Sequence, residues 1–176
     1  MAPEKKAPNG ENNPPVETTK SKWYQYPGVN LRFLLDFMRA TGHNTASLCK
    51  MSNMPPQALR VQLKRDDMKI SKAKELIKNA GYKLDIKLYM QSQEADSDYI
   101  VTLPKAIRKN DDKNLAFLDE FFSMVGESQY EIGKKMGITQ GAVFSWFKTD
   151  DIMISYIVKI KEIYKAKLEF RITEKI

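Results

Sequence analysis

Two pairs of adjacent carboxylates, Asp66-Asp67 and Asp150-Asp151, are the residues of this 176-residue chain whose type and spacing come nearest to chemistry. In an enzyme such pairs hold a metal ion or pass protons. Here each pair comes after a stretch with helical apolar spacing, where Asp begins a turn and caps the next element. The turn reading is the stronger one. His43 is the only histidine and Cys49 the only cysteine. No suggestive pattern brings them together, so Cys49 reads as a small buried hydrophobe rather than a nucleophile, and His43 as a loop residue. There is no phosphate-cradling glycine loop and no zinc-ligand spacing. The expectation is therefore a non-enzyme with no metal and no cofactor.

The two acidic pairs lie 84 residues apart, and so does everything around them. Asn30–Leu88 aligns with Asn114–Ile172 at that constant offset without a gap. Identical pairs include Asn30/Asn114, Leu31/Leu115, Phe33/Phe117, Leu34/Leu118, Phe37/Phe121, Gly42/Gly126, Lys50/Lys134, Ala58/Ala142, Lys64/Lys148, Ile70/Ile154, Ser71/Ser155 and Leu84/Leu168. Two copies are too few for a solenoid. A duplicated small domain is the better reading, and a symmetric target such as duplex DNA suits it. Each copy is near the lower size limit for a self-sufficient core, so the copies are expected to lean on each other.

Charge is unevenly shared between them. The chain carries a net +7. Residues 30–89 hold twelve Lys/Arg against five Asp/Glu, whereas residues 114–173 hold eight of each. A basic surface attracts polyphosphate, but a solvated lysine-rich face explains the same counts. A single cysteine fits a reducing compartment. No apolar run approaches the ~20 residues a membrane span needs, and the N-terminus lacks an apolar signal core. The expected location is the cytoplasm, on the nucleoid if the protein is bacterial.

The elements follow from periodicity. Leu31, Leu34, Leu35 and Met38 predict a first helix ended by Gly42. Thr45 is expected to cap a second, with Asn53 at its end. Pro55 and Pro56 open a third, which runs to about Lys64 and buries Leu59 and Leu63. Ser71 is expected to cap a fourth, closed by Gly81. Residues Leu84–Tyr89 then alternate apolar and polar, a half-buried strand, and Leu168–Thr173 repeat it. A lone strand is unstable, so the two are expected to pair antiparallel within the chain, across a pseudo-twofold axis. Residues 1–22 read as a disordered tail, with Trp23, Tyr24 and Tyr26 docking it to the first domain (23–89). Residues 90–113 are a linker with a short strand at Tyr99–Leu103, and 114–176 form the second domain.

The segment Ser128–Phe147, SQYEIGKKMGITQGAVFSWF, has the layout of a helix-turn-helix. Gly133 is the small contact in the first helix, Gly137 the left-handed turn, and Ile132, Ile138, Val143 and Trp146 the apolar lock. The pattern Gln-x-Glu-Ile-Gly-x-x-x-Gly-Ile-Thr-Gln-x-x-Val-x-x-Trp resembles the lambda-repressor-like (Cro/repressor, XRE) family. The gapless repeat extends the likeness to the first copy. What the resemblance implies is a mostly α fold of two tandem four-helix repressor-like domains, each followed by a strand. It also implies a third helix that enters the major groove.

Carried over by position, the resemblance gives Gln129 a phosphate or adjacent base, Thr139 a backbone phosphate, and Gln140 a base edge. A Gln amide makes paired hydrogen bonds to adenine. Ser145 lies further along the same face and Lys148 neutralises phosphate. Gly141 sits where a longer polar side chain is common. In the first copy Cys49, Asn53 and Pro56 replace Gly133, Gly137 and Gln140. Gln57, Arg60, Lys64 and Arg65 remain on or near the exposed side, and Arg can pair with guanine or clamp phosphate.

Trp146 is expected in the core. Phe144 and Phe147 are expected to pack on the first copy or the linker, with a partner-binding surface as the sharper alternative. The function expected is a bacterial or phage-type transcriptional regulator that binds double-stranded DNA as an intrachain pseudo-dimer. Its readers would lie about one helical turn, on the order of 34 Å, apart. The alternative is a protein-interaction module that keeps the scaffold without binding DNA. A homodimer through the strands or through Phe144 and Phe147 is the other partner considered.

Overall fold

The computed structural model describes residues 26–90 and 113–175. Its first half contains α1 (Arg32–Thr41), α2 (Thr45–Met51), α3 (Pro56–Arg65), α4 (Ile70–Asn79) and β1 (Tyr82–Met90). Its second contains α5 (Ala116–Val125), α6 (Gln129–Met136), α7 (Gln140–Thr149), α8 (Ile154–Ile163) and β2 (Ala166–Glu174). Each element of the second half begins 84 residues after its counterpart. The expected tail, the anchors Trp23 and Tyr24 and the strand at Tyr99–Leu103 lie outside the described residues. Tyr26 is half-buried against the core.

Local chemistry sets most of the boundaries. Gly42 and Gly126 end α1 and α5 in the left-handed region, at φ 73° in both. Pro55 is extended and Pro56 fills the first helical position of α3, where a missing N–H costs nothing. The cap of α2 is Asn44, not Thr45. Its side chain accepts from the Ser47 N–H at 2.9 Å, and the Ser47 hydroxyl oxygen accepts from the Asn44 N–H at 3.0 Å. This reciprocal box leaves Thr45 as the first helical residue.

The acidic pairs divide their work between different helices. Asp66 and Asp150 sit in the left-handed region after α3 and α7, at φ 52° and 51°. Their backbones close the helix behind them, and their side chains turn back to an earlier one. Asp66 accepts from the N–H groups of Val29, Asn30 and Leu31 at 2.8–3.0 Å, ahead of α1. Asp150 accepts from Asn114 and Leu115 at 2.7 and 3.0 Å, ahead of α5.

Asp67 and Asp151 reach into the other copy. Asp151 accepts from the Ser71 N–H and hydroxyl at 3.1 and 2.7 Å, and Asp67 does the same for Ser155 at 3.0 and 2.6 Å. Ser71 and Ser155 therefore do not cap their own helices. They lie inside the first turns of α4 and α8, whose free N–H groups are served across the interface.

The two halves meet around a local twofold axis. β1 and β2 pair antiparallel over nine residues, with Ile86 opposite Phe170, its own counterpart 84 residues on. An antiparallel pair centred on equivalent residues is carried onto itself by a twofold rotation. A second contact obeys the same symmetry: Lys69 bridges Met153, also its own counterpart. There Ile70 donates to the Ile152 carbonyl and Ile154 to the Met68 carbonyl, both at 2.9 Å. The strands turn Leu84, Ile86 and Leu88, with Leu168, Phe170 and Ile172, toward the helices. Their outer positions set Asp85 opposite Arg171 and Lys87 opposite Glu169, charge pairings that favour this register. Buried residues of both copies form one continuous core.

The symmetry is imperfect where α1 and α5 face the sheet. α5 packs on β1, and Lys74 of α4 donates to the Asn114 carbonyl at 3.2 Å. Burial pulls the pKa of that ammonium below its usual value. Val158 occupies the position equivalent to Lys74 and has nothing to donate to Asn30. Between α1, α8 and β2 lies an open groove of about 540 Å³, edged by Asn30 and Val158. Phe33 stacks on Phe170 there at 4.1 Å.

Candidate nucleic-acid interface

The second copy builds a short helix, a tight turn and a second helix from local rules. Ser128 accepts from the Glu131 N–H at 3.3 Å and donates its own N–H to the Glu131 carboxylate at 2.8 Å, which starts α6. Gly137 ends it at φ 67°. The Ile138 N–H returns to the Gly133 carbonyl at 2.9 Å. That return brings the turn so close that a Cβ on Gly133 would lie 2.9 Å from the Ile138 oxygen. Only glycine fits there. Thr139 is extended, and its hydroxyl oxygen accepts from the Ala142 N–H at 3.2 Å to start α7. This cap uses the oxygen and leaves the O–H proton to donate.

Two further contacts hold α6 in place. Lys159 of α8 donates to the Met136 carbonyl at 2.7 Å, satisfying the C-terminal end of α6. Glu127, next to the cap, accepts from both Lys135 and the Tyr164 hydroxyl. Those partners hold the Glu127 carboxyl below its ordinary range. Burial and Glu127 together raise the Tyr164 phenol well above its usual value.

The inner side of α7 is apolar: Val143 and Trp146 are buried, and Trp146 meets Tyr156 at 5.2 Å. Its outer side presents Gln140, Gly141, Phe144, Ser145 and Lys148, all exposed. Positions four apart share a helix face, so Gln140, Phe144 and Lys148 form one row with Gly141 and Ser145 beside it. Thr139 is exposed just before the helix, and Gln129, at the start of α6, is half-buried. The residues singled out from the sequence in this copy therefore border one surface.

In the first copy α3 turns Pro56, Gln57, Arg60, Lys64 and Arg65 outward while Leu59 and Leu63 are buried. Pro56, Arg60 and Lys64 occupy the positions of Gln140, Phe144 and Lys148. No described carboxylate pairs with Arg60, Lys64, Arg65 or Lys148. The outer row of α3 is thus cationic, and that of α7 is polar with one aromatic ring.

Comparison with family models, with curated proteins and with solved structures returns no match.

Two sequence expectations need correction. Phe147, expected on the first copy or the linker, is half-buried against Phe122 of its own copy with centroids 6.4 Å apart, and linker residues 91–112 lie outside the described residues. Phe144 turns outward and is 55% exposed. Its place in the outer row was legible in principle, because it lies four residues after Gln140 and aligns with Arg60. Among the described residues no cluster of His, Cys, Asp and Glu could hold a metal ion, and no helix is long and apolar enough to cross a membrane. Cys49 is buried, and burial raises its thiol pKa, the opposite of an activated nucleophile.

Proposed function

We propose that this chain is a sequence-specific, double-stranded DNA-binding transcriptional regulator. In this reading its two halves are repressor-like helix-turn-helix domains acting as an intrachain pseudo-dimer, and α3 and α7 enter successive major grooves. Gln140 reads a base edge. Thr139, through its O–H, and Gln129 hold phosphates, and Ser145 contacts the groove further along. Lys148, Arg60, Lys64 and Arg65 neutralise phosphate, Arg60 with the added capacity to pair with guanine, and Gln57 lies beside it. Placing both readers in one chain makes the second contact intramolecular and removes a concentration penalty. Such a regulator works in the cytoplasm, on the nucleoid of a bacterial cell.

The observation that carries this reading is the outer face of α7 and its counterpart on α3. Gln140, Gly141, Ser145 and Lys148 on one, and Gln57, Arg60, Lys64 and Arg65 on the other, are all exposed. They occupy the same or neighbouring positions of the repeat. The test is titration of labelled generic duplex at rising salt. Neutralising four phosphates should cut affinity about a hundred-fold between 50 and 200 mM salt. Absence of any binding at the lowest salt rejects the proposal.

One observation favours a second reading, a protein-interaction module on the same scaffold. Phe144 is an exposed ring on the face that would meet DNA. In that case duplex binding is absent, and Phe144→Ala abolishes association with a protein partner or with a second copy of the chain.

A further inference from the structure

Of the three aromatic residues in α7, two are turned inward. Trp146 lies against Tyr156 and Phe147 against Phe122, at 5.2 and 6.4 Å between centroids. Phe144 points out, 55% exposed, in the row between Gln140 and Lys148. Its neighbours on that face are polar or small, so the ring is not part of a broad apolar patch.

Gly141 supplies an independent observation on the same spot. A Cβ added there would meet only the Thr139 hydroxyl oxygen, at 3.9 Å, which is ordinary contact. It has helical dihedrals and none of the positive-φ strain seen at Gly137. Nothing inside the fold asks for glycine at this position, in contrast to Gly133. Glycine inside a helix weakens it, and its common use elsewhere is to let a ligand come close to the backbone. The missing side chain opens a notch three residues before Phe144, on the ring's own face.

The major-groove edge of DNA offers one apolar group, the C5 methyl of thymine. Resting on the DNA-binding function proposed above, we infer that Phe144 reads that methyl, with the Gly141 notch admitting the base pair beside it. Gln140, one helical turn earlier, pairs with adenine, so α7 selects an A·T-rich half-site containing a thymine in fixed register with that adenine. The equivalent of Phe144 in the first copy is Arg60, whose guanidinium pairs with the O6 and N7 of guanine. The same structural position thus reads methyl in one half-site and guanine in the other, and the local twofold axis of the protein faces a site that is not a palindrome.

The experiment begins by enriching a preferred duplex from a random pool with the full-length chain. Each thymine of the enriched site is then replaced singly by deoxyuridine, which removes the C5 methyl and nothing else. One replacement should weaken the wild-type protein about four-fold, the worth of one buried methyl group. Phe144→Ala should bind the thymine site about as weakly as wild type binds the uridine site, and should be indifferent to the methyl. Phe144→Leu should keep part of the methyl dependence. Gly141→Leu, which closes the notch, should lose it without any fall in Tm. Phe144 is exposed and a Cβ at Gly141 makes only an ordinary contact, so neither variant threatens the fold. Sequence-selective binding with no thymine dependence, or an unchanged dependence in Phe144→Ala, overturns the inference and leaves the DNA-binding function standing. A wild-type chain that binds no duplex at low salt overturns both. So does self-association abolished by Phe144→Ala in a chain that binds no duplex.

Discussion

The carboxylate of Asp151 accepts from both the backbone N–H and the hydroxyl of Ser71, at 3.1 and 2.7 Å, across 80 residues of sequence. Asp67 repeats the arrangement with Ser155. Each copy thus supplies the negative charge at the N-terminus of a helix belonging to the other, where the helix dipole and unpaired N–H groups favour it.

Exchanged caps make the stability of each half depend on its neighbour. Asp67→Ala and Asp151→Ala should each cost about 1–2 kcal/mol, the usual loss when an N-terminal cap is removed. Urea denaturation should report one cooperative transition in the wild type and in both variants. Two separated transitions in the wild type would show that the copies fold independently.

Two glycines of the second copy, Gly133 in α6 and Gly141 in α7, should respond to alanine with opposite signs. Gly133→Ala forces a Cβ to 2.9 Å from the Ile138 carbonyl oxygen and should destabilise by about 1–3 kcal/mol. Gly141→Ala meets only an ordinary 3.9 Å contact with the Thr139 hydroxyl oxygen and should stabilise by roughly 0.5–1 kcal/mol. Thermal unfolding of the two variants decides this. A loss of stability in Gly141→Ala would mean that the fold itself requires glycine there.

The lowered Glu127 carboxyl gives the fold an acid-sensitive contact. Because the folded-state pKa lies below the unfolded value, the contribution is complete above about pH 4.3 and is lost as pH falls through the folded pKa. Glu127→Gln should therefore flatten the acid limb of a stability profile below about pH 4.3. Denaturation midpoints across the acid range provide the comparison, and parallel acid limbs in variant and wild type would contradict the assignment.

Cationic α3 and polar α7 should contribute differently to binding. Lys64→Ala and Arg65→Ala should each weaken duplex affinity and lower the salt slope by about 0.9 for each phosphate left unneutralised. Gln140→Ala should relax base choice with a smaller change of slope. Equal slopes in all three variants would contradict this difference between the two helices.

Periodicity and turn chemistry made the secondary structure legible. Leu34, Leu35 and Met38 mark α1, Pro56 opens α3, Gly137 turns α6 into α7, and the alternation around Ile86 marks the strand. The 84-residue offset then suggested an antiparallel pair about a twofold axis, because equivalent strands meet most simply at equivalent residues. The partners of Asp67 and Asp151 were not legible. They lie 88 and 80 residues away, and a Ser-Asp pairing across that distance leaves no local pattern. Thr45 and Ser71 were plausible caps by type, but Asn44 and a carboxylate from the other copy are the groups in place. The outward turn of Phe144 was obscured because an aromatic residue on a helix usually faces the core.

Hydroxyl-radical footprinting of the full-length chain on its enriched duplex puts the fused pair of readers to the plainest trial. Two readers related by a local twofold axis should protect two windows about one helical turn, on the order of 34 Å, apart. A single window, or a duplex cleaved uniformly with saturating protein present, would rule out an intrachain pseudo-dimer on DNA.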